Sequence, residues 1–136
     1  MSFVYSSVAS LKDKDKVGSN QCVALVQFYA VGIPHTGAWR AGDSVVGNAG
    51  ISTGTAIDTF VNGRYLSKPH GNHAAFFLRH GANGFWVVDQ WKDKPDGKVR
   101  PISERFIRSL ARPQNKDGSW PQASDNADAF SVIEIG

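Results

Sequence analysis

One cysteine, Cys22, stands in a chain of 136 residues, which excludes an intramolecular disulfide and any metal cluster built from several thiolates. The four histidines do not follow HExxH or a similar ligand spacing, so neither a metal nor a cofactor is expected. No apolar run is long enough to span a bilayer, and no membrane partner is expected. The opening MSFVYSSVASLKDKDK lacks the basic stretch and apolar core of a cleaved secretory signal. That predicts synthesis in the cytoplasm and, for any export, a route that dispenses with such a signal. Fifteen Lys and Arg against twelve Asp and Glu leave a net charge of +3, spread along the chain and not gathered into runs. With no dense basic patch and no nucleic-acid-binding signature, nucleic acid is not an expected partner. Internal repeats and low-complexity tracts are also missing. What is left reads as one domain, residues 1–136, whose 41% hydrophobic content suffices for a core.

The cysteine opens the most apolar segment. In SNQCVALVQFY, residues 19–29, Cys22, Leu25, Val26 and Tyr29 fall at i, i+3, i+4 and i+7, which predicts a helix. Val23, Ala24 and Phe28 make most of the remaining surface apolar too, so the helix should be buried. Ser19 or Asn20 is the expected cap, and Gly32 and Pro34 the stop. A thiol in the first turn sits at the positive end of the helix dipole, which favours the thiolate. A lone cysteine is also a common small core residue, so a histidine and an orienting polar group are needed before chemistry is read from it.

Residues 33–50, with their glycine pairs and Pro34, read as a structured loop holding a short helical turn, in which Trp39 either lines a groove or closes the core. Gly54–Phe60 is rich in β-branched residues and ends at Asn62-Gly63, a strand followed by a turn. His73–Leu78 and Phe85–Trp91, separated by Gly81–Gly84, form a hairpin. Ser103 is expected to cap a short helix with Phe106, Ile107 and Leu110 on its apolar face. Gln114–Asp128 reads as a surface loop, and Ala129–Ile135 as a terminal strand.

The hairpin brings His73 opposite Asp89, Gln90 or Trp91 at one end of two neighbouring strands. A cysteine hydrolase needs a thiolate at a helix start, a histidine to move the proton and a polar residue to orient it. Cys22, His73 and Asp89 supply those parts, with Gln90 as the alternative orienter. The backbone N–H of Cys22 and the side chain of Gln21 are candidate oxyanion donors. His35, His70 and His80 compete for the role of base, but none is as firmly held by a strand as His73.

The cysteine opening a helix, followed by GTAIDTF, GNHAAFFL and WVVDQW, resembles the NlpC-type and CHAP branch of papain-like peptidases. That branch cuts amide bonds in bacterial peptidoglycan. SNQCVALVQ with Trp39, GTAIDTF, NGRY, GNHAAFFL and DQW together resemble the small amidase effectors of type VI secretion, family 2, over residues 17–112. The resemblance implies an α+β fold of the papain-like NlpC/CHAP type, an N-terminal helix bearing the cysteine packed on a mostly antiparallel sheet. It implies a toxin injected through a secretion apparatus into a rival Gram-negative periplasm, acting there on peptidoglycan stem peptides at the D-alanine to diaminopimelate cross-link. It also implies a cognate immunity protein in the producing cell. Trp39, Tyr65 and Trp91 are candidates to line the substrate groove. A phage or housekeeping wall endopeptidase, and a non-catalytic wall-binding module, are the alternative readings.

Overall fold

The apolar run from Cys22 forms the only α-helix among the described residues, which are 2–66, 72–92 and 95–135 of a computed structural model. This helix, α1, spans Cys22–Tyr29. It starts later than the capping pattern predicts, because Gly18 and Asn20 take positive φ values of 59° and 67° and turn the chain before any helix begins. A Cβ at Gly18 would also lie 3.0 Å from the Ala24 Cβ, so glycine lets this turn pack on the helix. Ser19 Oγ accepts from the Gln21 N–H outside the helix, and Gln21 is the cap residue without any side-chain bond. Burial is also less complete than expected. Leu25 and Val26 are buried, whereas Phe28 is 64% exposed.

Among the described residues six strands form one sheet: β1 (Trp39–Ser44), β2 (Ala56–Thr59), β3 (Ala74–Gly81), β4 (Gly84–Asp89), β5 (Ser103–Arg108) and β6 (Phe130–Ile135). Their order is β1-β6-β2-β3-β4-β5, and all neighbours are antiparallel. Because side chains alternate across the pleat, β2 and β3 feed two cores. Ala56, Phe60, Ala74 and Phe76 pack with Leu25, Val26 and Ala30 under α1. Ile57, Ala75 and Phe77 pack on the other face with Phe85, Val87, Ile107 and Phe130, closed by the short 3-10 turns at Ala123–Asp125 and Ala127–Ala129. A strand covered on both faces is apolar throughout, which is why His73–Leu78 reads as a continuous run.

Two expectations are corrected. The segment from Ser103 is strand β5, not a helix: β4 offers it a complete edge from Gly84 to Asp89, and Ile107 turns into the core while Phe106 turns out. The loop over residues 33–50 contains, beyond its 3-10 turn at Thr36–Ala38, the whole of β1. The expected strand before Asn62-Gly63 is β2, and the turn itself has φ of 50° and 78° at those residues, as a two-residue hairpin turn requires. No helix among the described residues is long and apolar enough to cross a membrane.

Candidate active site

Three elements converge at one end of the sheet. α1 brings Cys22 in its first turn, the residue before β3 is His73, and the last residue of β4 is Asp89. His73 is fixed by its backbone, its N–H donating to Thr59 Oγ1 at 3.0 Å and its carbonyl accepting from the Thr59 N–H at 3.1 Å. Its ring Nε2 lies 2.7 Å from Asp89 Oδ2. That engagement leaves Nδ1 for Cys22, whose sulfur is near enough for its charge to act on the ring. The backbone N–H groups of Ala74 and Val23 also favour the charged sulfur.

The pleat sends Asp89 and Gln90 to opposite faces of β4. Asp89 faces His73, and Gln90, one residue on, faces α1. There the fully buried Gln90 accepts from the Val17 N–H at 3.1 Å and donates to the carbonyls of Val17 at 3.0 Å and Gln21 at 2.8 Å. Gln90 therefore does not meet the His73 ring; it ties the turn before α1 to the sheet and so holds the peptide that carries Cys22.

The electrostatics follow from these contacts. Burial pushes the Cys22 thiol up, but the hydrogen bond and charge of His73, with the Ala74 and Val23 N–H groups, outweigh it and leave the thiol below its ordinary value. Burial alone would lower His73, yet Asp89 and Cys22 raise it to about 9. Asp89 is raised by burial and more than compensated by His73 and Arg105, so it stays below the usual carboxylate range. Both shifts favour the thiolate–imidazolium form of the pair. Its pH window is bounded below by the depressed thiol and above by His73, so kcat/KM should fall on the alkaline side as His73 loses its proton near pH 9. A pH–rate profile checks this; a rate still rising beyond that point would contradict the pair.

Two members of the network escape sequence reading because β5 looks helical. Ser103 Oγ donates to Asp89 Oδ1 at 2.9 Å, and Arg105 Nε donates to Asp89 Oδ2 at 2.6 Å. Arg105 is itself braced by Asp125 and the Ser124 carbonyl. The strand-like spacing of Ser103, Arg105 and Ile107 is the signal that could have revealed them. Asp58, buried in β2, is a third residue passed over; a charged side chain inside an apolar strand was the clue.

The other candidates fall out as follows. Trp39 is fully buried in the core under α1, its indole N–H on the Pro34 carbonyl at 2.9 Å, so it offers no surface to a substrate and is corrected to a core residue. Tyr65 is half-buried against Trp39, and its hydroxyl accepts from Asn72 Nδ2 at 2.8 Å, next to His73. Trp91 is half-buried with the Arg105 guanidinium 5.8 Å from its ring centre. Gln21 is exposed immediately before Cys22. His35 accepts from the Gly37 N–H, and His80 pairs with the Asn48 carbonyl at the far end of the hairpin, so neither meets Cys22. His70 lies outside the described residues.

Comparison with known proteins gives one answer. The profile of the family described as Domesticated amidase effector 2 matches residues 4–133. The chain is 43% identical over 136 residues to the Type VI secretion amidase effector 2 protein of Salmonella typhi, spanning 98% of this chain and 100% of that one. It is 34% identical over 124 residues to Domesticated amidase effector 2 of Ixodes scapularis, spanning 88% of this chain and 74% of that one. A solved structure of Type 6 secretion amidase effector 2 superposes with a TM-score of 0.90 at 43% identity, spanning 98% of this chain and 95% of that one.

Proposed function

The chain belongs to the amidase effector 2 family, and from there we propose that it cuts peptide bonds of Gram-negative peptidoglycan with Cys22 as nucleophile. It is an amidase effector of type VI secretion with an α+β, papain-like fold. The observation that carries the reading is the buried His73–Asp89 pair at 2.7 Å, whose imidazole charge depresses the Cys22 thiol.

In this mechanism the Cys22 thiolate attacks the scissile carbonyl carbon. The oxyanion that forms is held by the Cys22 N–H and the Gln21 side chain. As the tetrahedral species collapses, His73 gives its Nδ1 proton to the leaving amine, and the acyl group remains on sulfur as a thioester. The neutral imidazole then takes a proton from water, the hydroxide attacks the thioester, and the acid is released with Cys22 again a thiolate and His73 again protonated. Asp89 keeps Nε2 protonated throughout. Tyr65 and Trp91 flank His73 and Asp89 and are the aromatic surfaces assigned to the stem peptide.

The bond we assign is the D-alanine to diaminopimelate cross-link. Delivery through a secretion apparatus into the periplasm of a target cell, and a cognate immunity protein that covers the site in the producer, complete the reading. The test is digestion of diaminopimelate-type sacculi with the protein before and after alkylation of Cys22, its single cysteine, followed by separation and mass analysis of muropeptides. Cross-linked dimers should give way to monomers that keep whole stem peptides, and only before alkylation. Stems cut after glutamate would move the bond. No change with a folded sample would favour a wall-binding module or a protein substrate.

A further inference from the structure

Asp58 takes no part in the reaction above, yet it is fully buried and feels the charge of Cys22. In β2 it pairs with Ala74 of β3 and Ser131 of β6. Ala74 follows His73 directly, and its N–H is one of the two that favour the charged Cys22 sulfur. Alternation along β2 puts Asp58 on the α1 face with Ala56 and Phe60, whereas the His73 ring turns to Asp89 and Phe130. Cys22 is thus within electrostatic reach of two polar groups that come from different faces of the sheet.

One carboxyl oxygen of Asp58 accepts from the Thr59 N–H at 2.8 Å, while Oδ2 is buried with no hydrogen-bond partner among the described residues. The cations of the site, His73 and Arg105, are both engaged by Asp89. Of the groups packed against Asp58, Ala74 and Ser131 bring no charge from its neighbouring strands, and α1 brings the Cys22 sulfur. A buried carboxylate with one hydrogen bond and no cation takes up a proton. Burial, then the charge of Cys22, accordingly push Asp58 well above the usual carboxylate range, against a weaker opposite pull from the Thr59 N–H.

We propose that Asp58 is a positioning residue that works as a neutral acid, its Oδ2–H turned to the Cys22 side of the site to favour the thiolate without adding a charge. The proposal rests on Cys22 being the reacting group, and it explains why a polar side chain is kept at a position where an apolar one would fit the core. Its contribution is made through the sulfur, so it is read on the sulfur.

The experiment is the pH dependence of Cys22 alkylation by iodoacetamide in the full chain, for wild type, Asp58→Asn and Asp58→Leu. The amide keeps a donor and can carry no charge, so its midpoint for thiolate formation should match wild type. Leucine removes the donor, and its midpoint should rise by about one unit, read as roughly tenfold slower alkylation below the midpoint. An unmoved midpoint in Asp58→Leu would make Asp58 merely structural, a lower midpoint in both variants would make it ionised, and an equal rise in both would assign the effect to packing. Each of those overturns the proposal. If Asp58→Leu does not fold, the infrared difference between wild type and Asp58→Asn decides: a protonated-carboxyl band at neutral pH that shifts on alkylation of Cys22 is expected, and its absence or indifference overturns the proposal. Because alkylation needs no wall substrate, failure of the sacculus digestion and failure here are separate results.

Discussion

Cys22→Ala is expected to abolish release of muropeptides from sacculi, a loss on the order of 10⁴- to 10⁶-fold in kcat, and to leave the fold intact. No other thiol can substitute, since the chain has none. The side chain removed is small and only half-buried, and His73 keeps Asp89 as its partner. Melting should therefore shift by a few degrees at most, equivalent to about 1 kcal/mol. Muropeptide chromatography and a thermal melt on the same sample separate the two effects. Undiminished turnover by a folded Cys22→Ala would end the nucleophile assignment, and an unfolded variant would place Cys22 in the core instead.

The second large effect is expected from Asp89→Asn, roughly 10³- to 10⁴-fold in kcat. Asp89 Oδ2 accepts from both His73 and Arg105, and Oδ1 accepts from Ser103. An amide carries one acceptor oxygen, so it cannot serve all three, and it adds a donor where only donors point. With its carboxylate gone, His73 loses the main group that raises it, and the alkaline edge of the pH–rate profile moves to lower pH. Stability also falls, because Arg105 is left against an uncharged partner; at 24% side-chain exposure solvent softens this, and about 1–3 kcal/mol in urea unfolding is the expected scale. Arg105→Met makes the contrast. It keeps the His73–Asp89 bond, so its rate should drop by no more than about tenfold. Equal losses in the two variants would mean that Arg105, not Asp89, governs the histidine.

The placing of Cys22, His73 and Asp89 was legible because each is bracketed by strong local signals. The apolar helix begins at the cysteine, and the glycines at 81 and 84 set the hairpin whose open end carries the other two. What local pattern left open was decided by long-range contacts. Asp89 and Gln90 differ only in which face of β4 they occupy, and only the register with β3 and β5 tells them apart. Phe106, Ile107 and Leu110 suit a helix as well as a strand, and it is the vacant edge of β4 that makes them β5; mistaking that segment hid Ser103 and Arg105. Trp39 could equally have faced solvent, until α1 and Tyr65 close over it. Asn20, a good cap in composition, is committed to a left-handed turn.

The place of β6 carries a consequence for how this protein comes into being. Residues 130–135 lie between β1 and β2 and supply the pairing that joins one to the other. The sheet's first strand is therefore joined to its second through a segment far along the chain, and the dominant contacts are between segments far apart in sequence. Such a topology folds slowly, because the entropy of closing long loops is lost before the distant strands can pair.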